Sequence, residues 1–159
     1  MKALTLHAPW AWAICYLGKD VENRTCKPPA GMVGQRIAIH AGSPAQWTRD
    51  NIKALLAAQE VSAKCFADVL ARRTAIHRAF RSECASIAER DRFCSAIVAT
   101  AVISDVRKPQ DTDDGWHLAG QYGWVLTDVQ VLPVPVKCKG ALGLWTVPAE
   151  IEAQMETRG

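Results

Sequence analysis

Seven residues, Gly18-Lys19-Asp20-Val21-Glu22-Asn23-Arg24, restrict the fold more than any other stretch of this chain. A glycine closes an apolar, tryptophan-bearing helical pattern, and a strand pattern starts almost at once. Alternation along that strand puts Asp20, Glu22 and Arg24 on one face, and Val21 and Asn23 on the other. A helix end that delivers a lysine beside a carboxylate and a guanidinium makes a compact polar group without any long-range assumption. It is either a solvated edge strand of mixed charge or part of a binding cleft.

Around it, residues 3–6 read as a first strand. Pro9 suits the first turn of a helix, where its missing N–H is no loss. Trp10, Ala13, Ile14 and Leu17 then follow the spacing of one buried face. Trp12, Tyr16 and Lys19 make a second stripe if the helix reaches Lys19. That stripe either lines a cleft or packs beneath a loop. On this reading Trp10 is core and Trp12 faces the cleft, the two lying roughly 200° apart on an ideal helix.

Residues 27–31 are a turn by composition, and 35–41 form a buried strand ending on His40, read as a hydrogen-bonded core histidine. Ser43 and Pro44 open a helix. Residues 45–93 contain neither Gly nor Pro and read as two or three helices inserted into a sheet protein. Within them Arg72, Arg73, His77, Arg78 and Arg81 form a basic patch that either touches phosphates or is a solvated helix face.

Residues 95–104 are a buried strand. Residues 108–121, with Pro109, Asp111, Asp113, Asp114, Gly115, Trp116, His117 and Gly120, break every pattern and form a polar loop suited to binding. Residues 122–132 are a strand, 133–139 a further strand after a short turn, and 144–147 the last one. A helix runs from Pro148 to about Met155.

At 159 residues, 49% apolar and 22% charged, the chain suits one soluble globular domain, 1–159. Its net charge of +3 does not by itself announce a nucleic-acid partner, although residues 64–92 carry all of that excess. Cysteines 15, 26, 65, 84, 94 and 138 show no Cys-x-x-Cys pair. They read as reduced thiols in a cytoplasmic setting, with no metal site and no cofactor. The apolar start of the chain resembles a leader, but His7, Pro9 and two tryptophans argue against one. No run is long enough to span a bilayer, so no membrane partner is expected.

Pro9-Trp10-Ala11-Trp12, Gly18-Lys19, Glu22-Asn23-Arg24, Ile37-Ala38-Ile39-His40-Ala41, Tyr122-Gly123-Trp124 and Lys139-Gly140-Ala141-Leu142-Gly143-Leu144-Trp145 occur in this order. The set resembles the ASCH domain family, relatives of the PUA RNA-binding domain. The family's hallmark is Gly-x-Lys-x-x-Glu-x-Arg, on which Lys19, Glu22 and Arg24 fall, with Leu17 in place of the first glycine. The resemblance covers both ends of the chain but not residues 45–93.

It implies an α+β fold: a PUA-like curled β-barrel with an N-terminal helix after the first strand and a helical insertion at about 44–92. It also implies RNA, through a single-stranded or modified base, or a nucleoside as partner. Lys19 and Arg24 would hold a phosphate or base carbonyl, and Glu22 would accept from an amino group. Trp12, Tyr16 or Trp116 would stack, at about 1–3 kcal/mol per base. Trp10, Asp113, Asp114, Tyr122 and Lys139 complete the candidate ligand-binding set.

Some small ASCH proteins are amidohydrolases that deacetylate N4-acetylcytidine with a lysine, a threonine and a glutamate. Lys19 matches the lysine. Glu22 stands at the threonine position, which leaves Lys19 and Glu22 as the catalytic candidates. Asp113 or Asp114 lie nearest the family's glutamate. Ribonuclease activity is also within the family's range. A non-catalytic scaffold is the third alternative, and it expects Lys19, Glu22 and Arg24 to point into solvent.

Overall fold

A computed structural model describes residues 1–46, 48, 50, 51, 53–55, 57, 93–112 and 115–157. Six strands form one mixed sheet: β1 (Lys2–Leu6), β2 (Val21–Arg24), β3 (Arg36–Ala41), β4 (Ala96–Arg107), β5 (Tyr122–Lys137) and β6 (Leu144–Thr146), in the spatial order β2-β5-β4-β3-β1-β6. Helix α1 (Ala8–Tyr16) follows β1 directly, and helix α2 (Ala149–Glu156) ends the fold. β1 and β3 are parallel, and every other pair is antiparallel. Register shifts along β4 and β5 strengthen the twist that curls the sheet into a half-barrel. This is the α+β curled barrel expected from the sequence.

Both faces of the sheet are covered, which explains the unbroken apolar run in β3. On one face Leu4, Ile37, Ile39, Ile103, Trp124 and Leu126 pack against Ala8, Ala11 and Ile14 of α1. On the other, Ala3, Ala38, Ile97 and Val136 pack against Val147 and Met155. At the α1 end of β3, His40 is 2% exposed, lies edge-on to Trp145, and pairs through Nε2 with the Cys138 carbonyl at 3.1 Å. Gly140 presses against this ring. A Cβ there would lie 2.5 Å from His40 Cε1 and 2.6 Å from Thr5 Oγ1. Gly140→Ala is therefore expected to cost about 1–3 kcal/mol, read in urea as a lower midpoint at unchanged slope.

The sequence places a turn before residue 133, but β5 continues through it. Val131 pairs with Ala99 and Val136 with Ile97, so Pro133 and Pro135 fall where the ladder skips. Prolines lack the N–H that pairing needs, and the skip removes that need. Of the helical insertion expected at about 44–92, the described residues show a 3-10 turn at Pro44–Gln46 and helical residues at 50, 51, 53–55 and 57. Most of the insertion, with Arg72, Arg73, His77, Arg78 and Arg81, lies outside the described residues. Cys15, Cys26 and Cys138 are free thiols, Cys94 is buried, and burial pushes Cys15 up to about 12. Cys65 and Cys84 lie outside the described residues. Among the described residues no helix is long and apolar enough to cross a membrane.

Candidate functional site

The site begins where α1 stops. The helix ends at Tyr16, and Gly18 takes the left-handed conformation, φ +67°. The Leu17 and Lys19 amides both close on the Ala13 carbonyl. This turn swings Lys19 off the helix and over the start of β2, where it is 3% exposed. Its Nζ donates to the Val21 carbonyl and lies 3.7 Å from the Glu22 carboxylate. It also sits 5.8 Å from the ring centres of both Trp10 and Trp116, within cation–π range.

The expected stripe of Trp12, Tyr16 and Lys19 is therefore not formed, because the glycine turn breaks the helical register. Trp10, half-buried, is the α1 indole that covers the lysine. Trp12 packs against Tyr16 at 5.7 Å, and Tyr16, 56% exposed, against Phe93 at 6.1 Å. The face assignment of the two tryptophans is reversed.

Glu22 stands opposite Trp124 across the β2–β5 ladder, and Arg24 opposite Tyr122. The Arg24 guanidinium lies 5.7 Å from the Trp124 ring, and Lys27 lies 5.8 Å from Tyr122. The other face of β2 holds the loop between β4 and β5. Asn23 Nδ2 donates to the Trp116 carbonyl at 2.8 Å, and its Oδ1 accepts from the Leu118 amide at 2.9 Å. Those bonds deliver Trp116, 5% exposed, onto Lys19.

Asn23, Lys27, His117 and Trp124 were not among the sequence candidates. The alternation that hides Val21 on Asn23's face was the available signal for Asn23. Lys139 lies past the far end of β5, beside Gly140, and is not brought to Lys19. Asp113 and Asp114 lie outside the described residues.

Burial drives the electrostatics. It pushes the Lys19 ammonium below its ordinary value, against the pull of Glu22 and Asp20. It pushes the Glu22 carboxyl up, against Lys19, Arg24 and His7. The result is a water-poor amine and carboxyl, each biased toward its neutral form, that can trade a proton. Among the described residues no three His, Cys, Asp or Glu side chains converge as metal ligands.

A pH dependence follows. Folded Glu22 holds its proton to higher pH than the unfolded chain, so its contribution to stability falls as pH rises from about 4.5 through the folded value. Lys19 acts oppositely. It sheds its proton early in the fold, so its contribution rises as pH climbs from the folded value toward 10.5. Urea midpoints of wild type and Glu22→Gln across this range are expected to show a difference that falls above pH ~4.5. A difference that rises there contradicts the burial of Glu22.

No family model matches the sequence, and no curated protein sequence does either. Two solved structures from Zymomonas mobilis share the fold: ASCH, and a tyrosine-to-phenylalanine mutant of ZmASCH. Each is 13% identical, has a TM-score of 0.51 and covers 98% of this chain. The match spans 93% of the first and 96% of the second.

Proposed function

With the fold of ASCH proteins as premise, we propose that this protein binds RNA, through a single-stranded or modified base, or the corresponding nucleoside, at Lys19. The observation that carries this reading is the enclosure of one amine by a carboxylate and two indole rings. Once the ligand displaces the Val21 carbonyl, Lys19 can donate to a base carbonyl. Glu22 can accept from an exocyclic amino group, and the indoles offer stacking faces. Arg24, half-buried on Trp124, would meet a phosphate. Only an unpaired base exposes both face and edge to such a set. The solvent-facing arrangement that a scaffold expects is absent, since Lys19 is 3% and Glu22 9% exposed.

One observation favours a second reading, hydrolysis of an N4-acylated cytidine: burial moves Lys19 and Glu22 toward the protonation states that acid–base work requires. Neutral Lys19 would take a proton from water as its oxygen adds to the acyl carbon. Protonated Glu22 would give its proton to the departing N4 nitrogen, releasing cytidine and a carboxylic acid.

Tryptophan fluorescence titrations with cytidine, N4-acetylcytidine and short single-stranded RNAs test the proposal, with chromatography of each mixture for products. Saturable quenching by the modified nucleoside or the RNA is the expected result. No binding of any of these at millimolar concentration would refute it.

A further inference from the structure

We infer that residues 115–121 form a lid over Lys19, latched by the Asn23 side chain, and that a ligand reaches the amine only when the latch releases. The use of this lid by a ligand rests on the binding reading above; the lid itself is a property of the free protein.

As folded, Lys19 has almost no exposed surface, and the Val21 carbonyl takes one of its N–H donors. A route to the amine requires one of its covers to move. Trp10 belongs to α1, whose Ala8, Ala11 and Ile14 are built into the main core, so its backbone is held in place. Trp116 belongs to a segment with neither helix nor extended strand, between β4 and β5.

Three features suit this segment to opening as a unit. Asn23 grips it at Trp116 and Leu118, two bonds from one side chain that bracket His117, so a single rotamer change frees both. Gly115 and Gly120 stand at its two ends with φ of +59° and +72°, and no atom lies within 4 Å of where a Cβ would sit on either. Both joints have conformational freedom and room to use it. The closed state also carries a defect. His117 is 0% exposed, and its Nε2 pairs with the Gln121 carbonyl at 2.8 Å, which leaves Nδ1 as an acceptor. Among the described residues that Nδ1 has no partner. Opening admits water to it, which offsets part of the cost of exposing Trp116.

The test needs no nucleoside. Wild type, Asn23→Ala and Val147→Ala are treated with an N-hydroxysuccinimide ester of acetic acid, and acetylation of Lys19 is followed by peptide mass spectrometry, with exposed Lys139 as internal reference. Val147→Ala weakens the cluster on the other face of the sheet and controls for global unfolding. We expect Lys19 to react at least tenfold faster in Asn23→Ala than in either of the others. An unchanged rate, or the same acceleration in Val147→Ala, overturns the latch.

Amide hydrogen exchange of the wild-type protein keeps the idea testable should Asn23→Ala not fold. The Leu118 amide is expected to exchange at least a hundredfold faster than the β4–β5 ladder amides. Equal rates would mean that the segment opens only when the whole protein unfolds, and would overturn the lid. Failure to bind any nucleoside leaves these outcomes unaffected, so the lid and the proposed ligand stand or fall separately.

Discussion

Lys19→Met is expected to weaken binding of the modified nucleoside or RNA by roughly 10- to 150-fold, the loss of a hydrogen bond from a charged donor worth about 1.5–3 kcal/mol. If the site is catalytic, the same change abolishes turnover. Methionine keeps the unbranched apolar stem between Trp10 and Trp116, so the indoles retain most of their packing. Glu22 loses its buried cation, and its carboxyl moves further toward the protonated form that burial already favours. Because that proton removes the uncompensated charge, the cost to folding stays below the several kcal/mol of a broken buried ion pair. Calorimetric titration gives the affinity, chromatography the turnover, and a thermal melt the stability. Affinity or hydrolysis that survives intact in Lys19→Met would move the chemistry to the loop after β4.

The largest stability effect is expected at Trp124. Trp124→Ala should cost about 3–5 kcal/mol. The indole is 2% exposed in the main core, on a β5 residue paired with Glu22 on one side and Val106 on the other. Its Nε1 donates to the Cys26 carbonyl at 2.9 Å, which holds the turn after β2, and its ring carries the Arg24 guanidinium. Trp124→Phe keeps an aromatic platform and loses the hydrogen bond, a change of about 1 kcal/mol. Urea unfolding of both variants beside Trp10→Ala orders the three indole effects. Trp10 is only half-buried, so its loss should cost less than that of Trp124. A Trp124→Ala cost below that of Trp10→Ala would place the core elsewhere.

What the sequence disclosed was local. The apolar spacing of Trp10 to Leu17, the dense β-branched run at 96–104 and Pro148 before an amphipathic turn each carried their element. Strand limits agreed to within a few residues, because side-chain period and backbone geometry are set by near neighbours. The alternation Val21-Glu22-Asn23-Arg24 survived intact.

The direction of Lys19 did not, because one left-handed glycine reorients everything after it and periodicity cannot be carried across such a turn. Trp116 was named as a stacking candidate, but its contact with Lys19 was hidden. Trp116 reaches Lys19 only through Asn23 and the pairing of β2 with β5, a tertiary register that spacing does not encode. Trp124 was visible within Tyr122-Gly123-Trp124, but its depth depends on which strands flank β5. For the prolines at 133 and 135, composition marked the interruption correctly, while the curl of the sheet decided that the chain would pass through it.

The placement of β6 bears on which parts of the fold depend on one another. β6 pairs with β1, so the outer edge opposite β2 is formed by the last of the described strands in chain order. β1 and β6 stand at opposite ends of the strand sequence, so one edge of β1 is covered only by residues 144–146. The enclosure of Lys19 is built from α1, β2, the loop before β5 and the first part of β5, all of which precede β6 in the sequence. The enclosure of Lys19 therefore does not include β6, and weakening the β1–β6 pairing is expected to leave it in place.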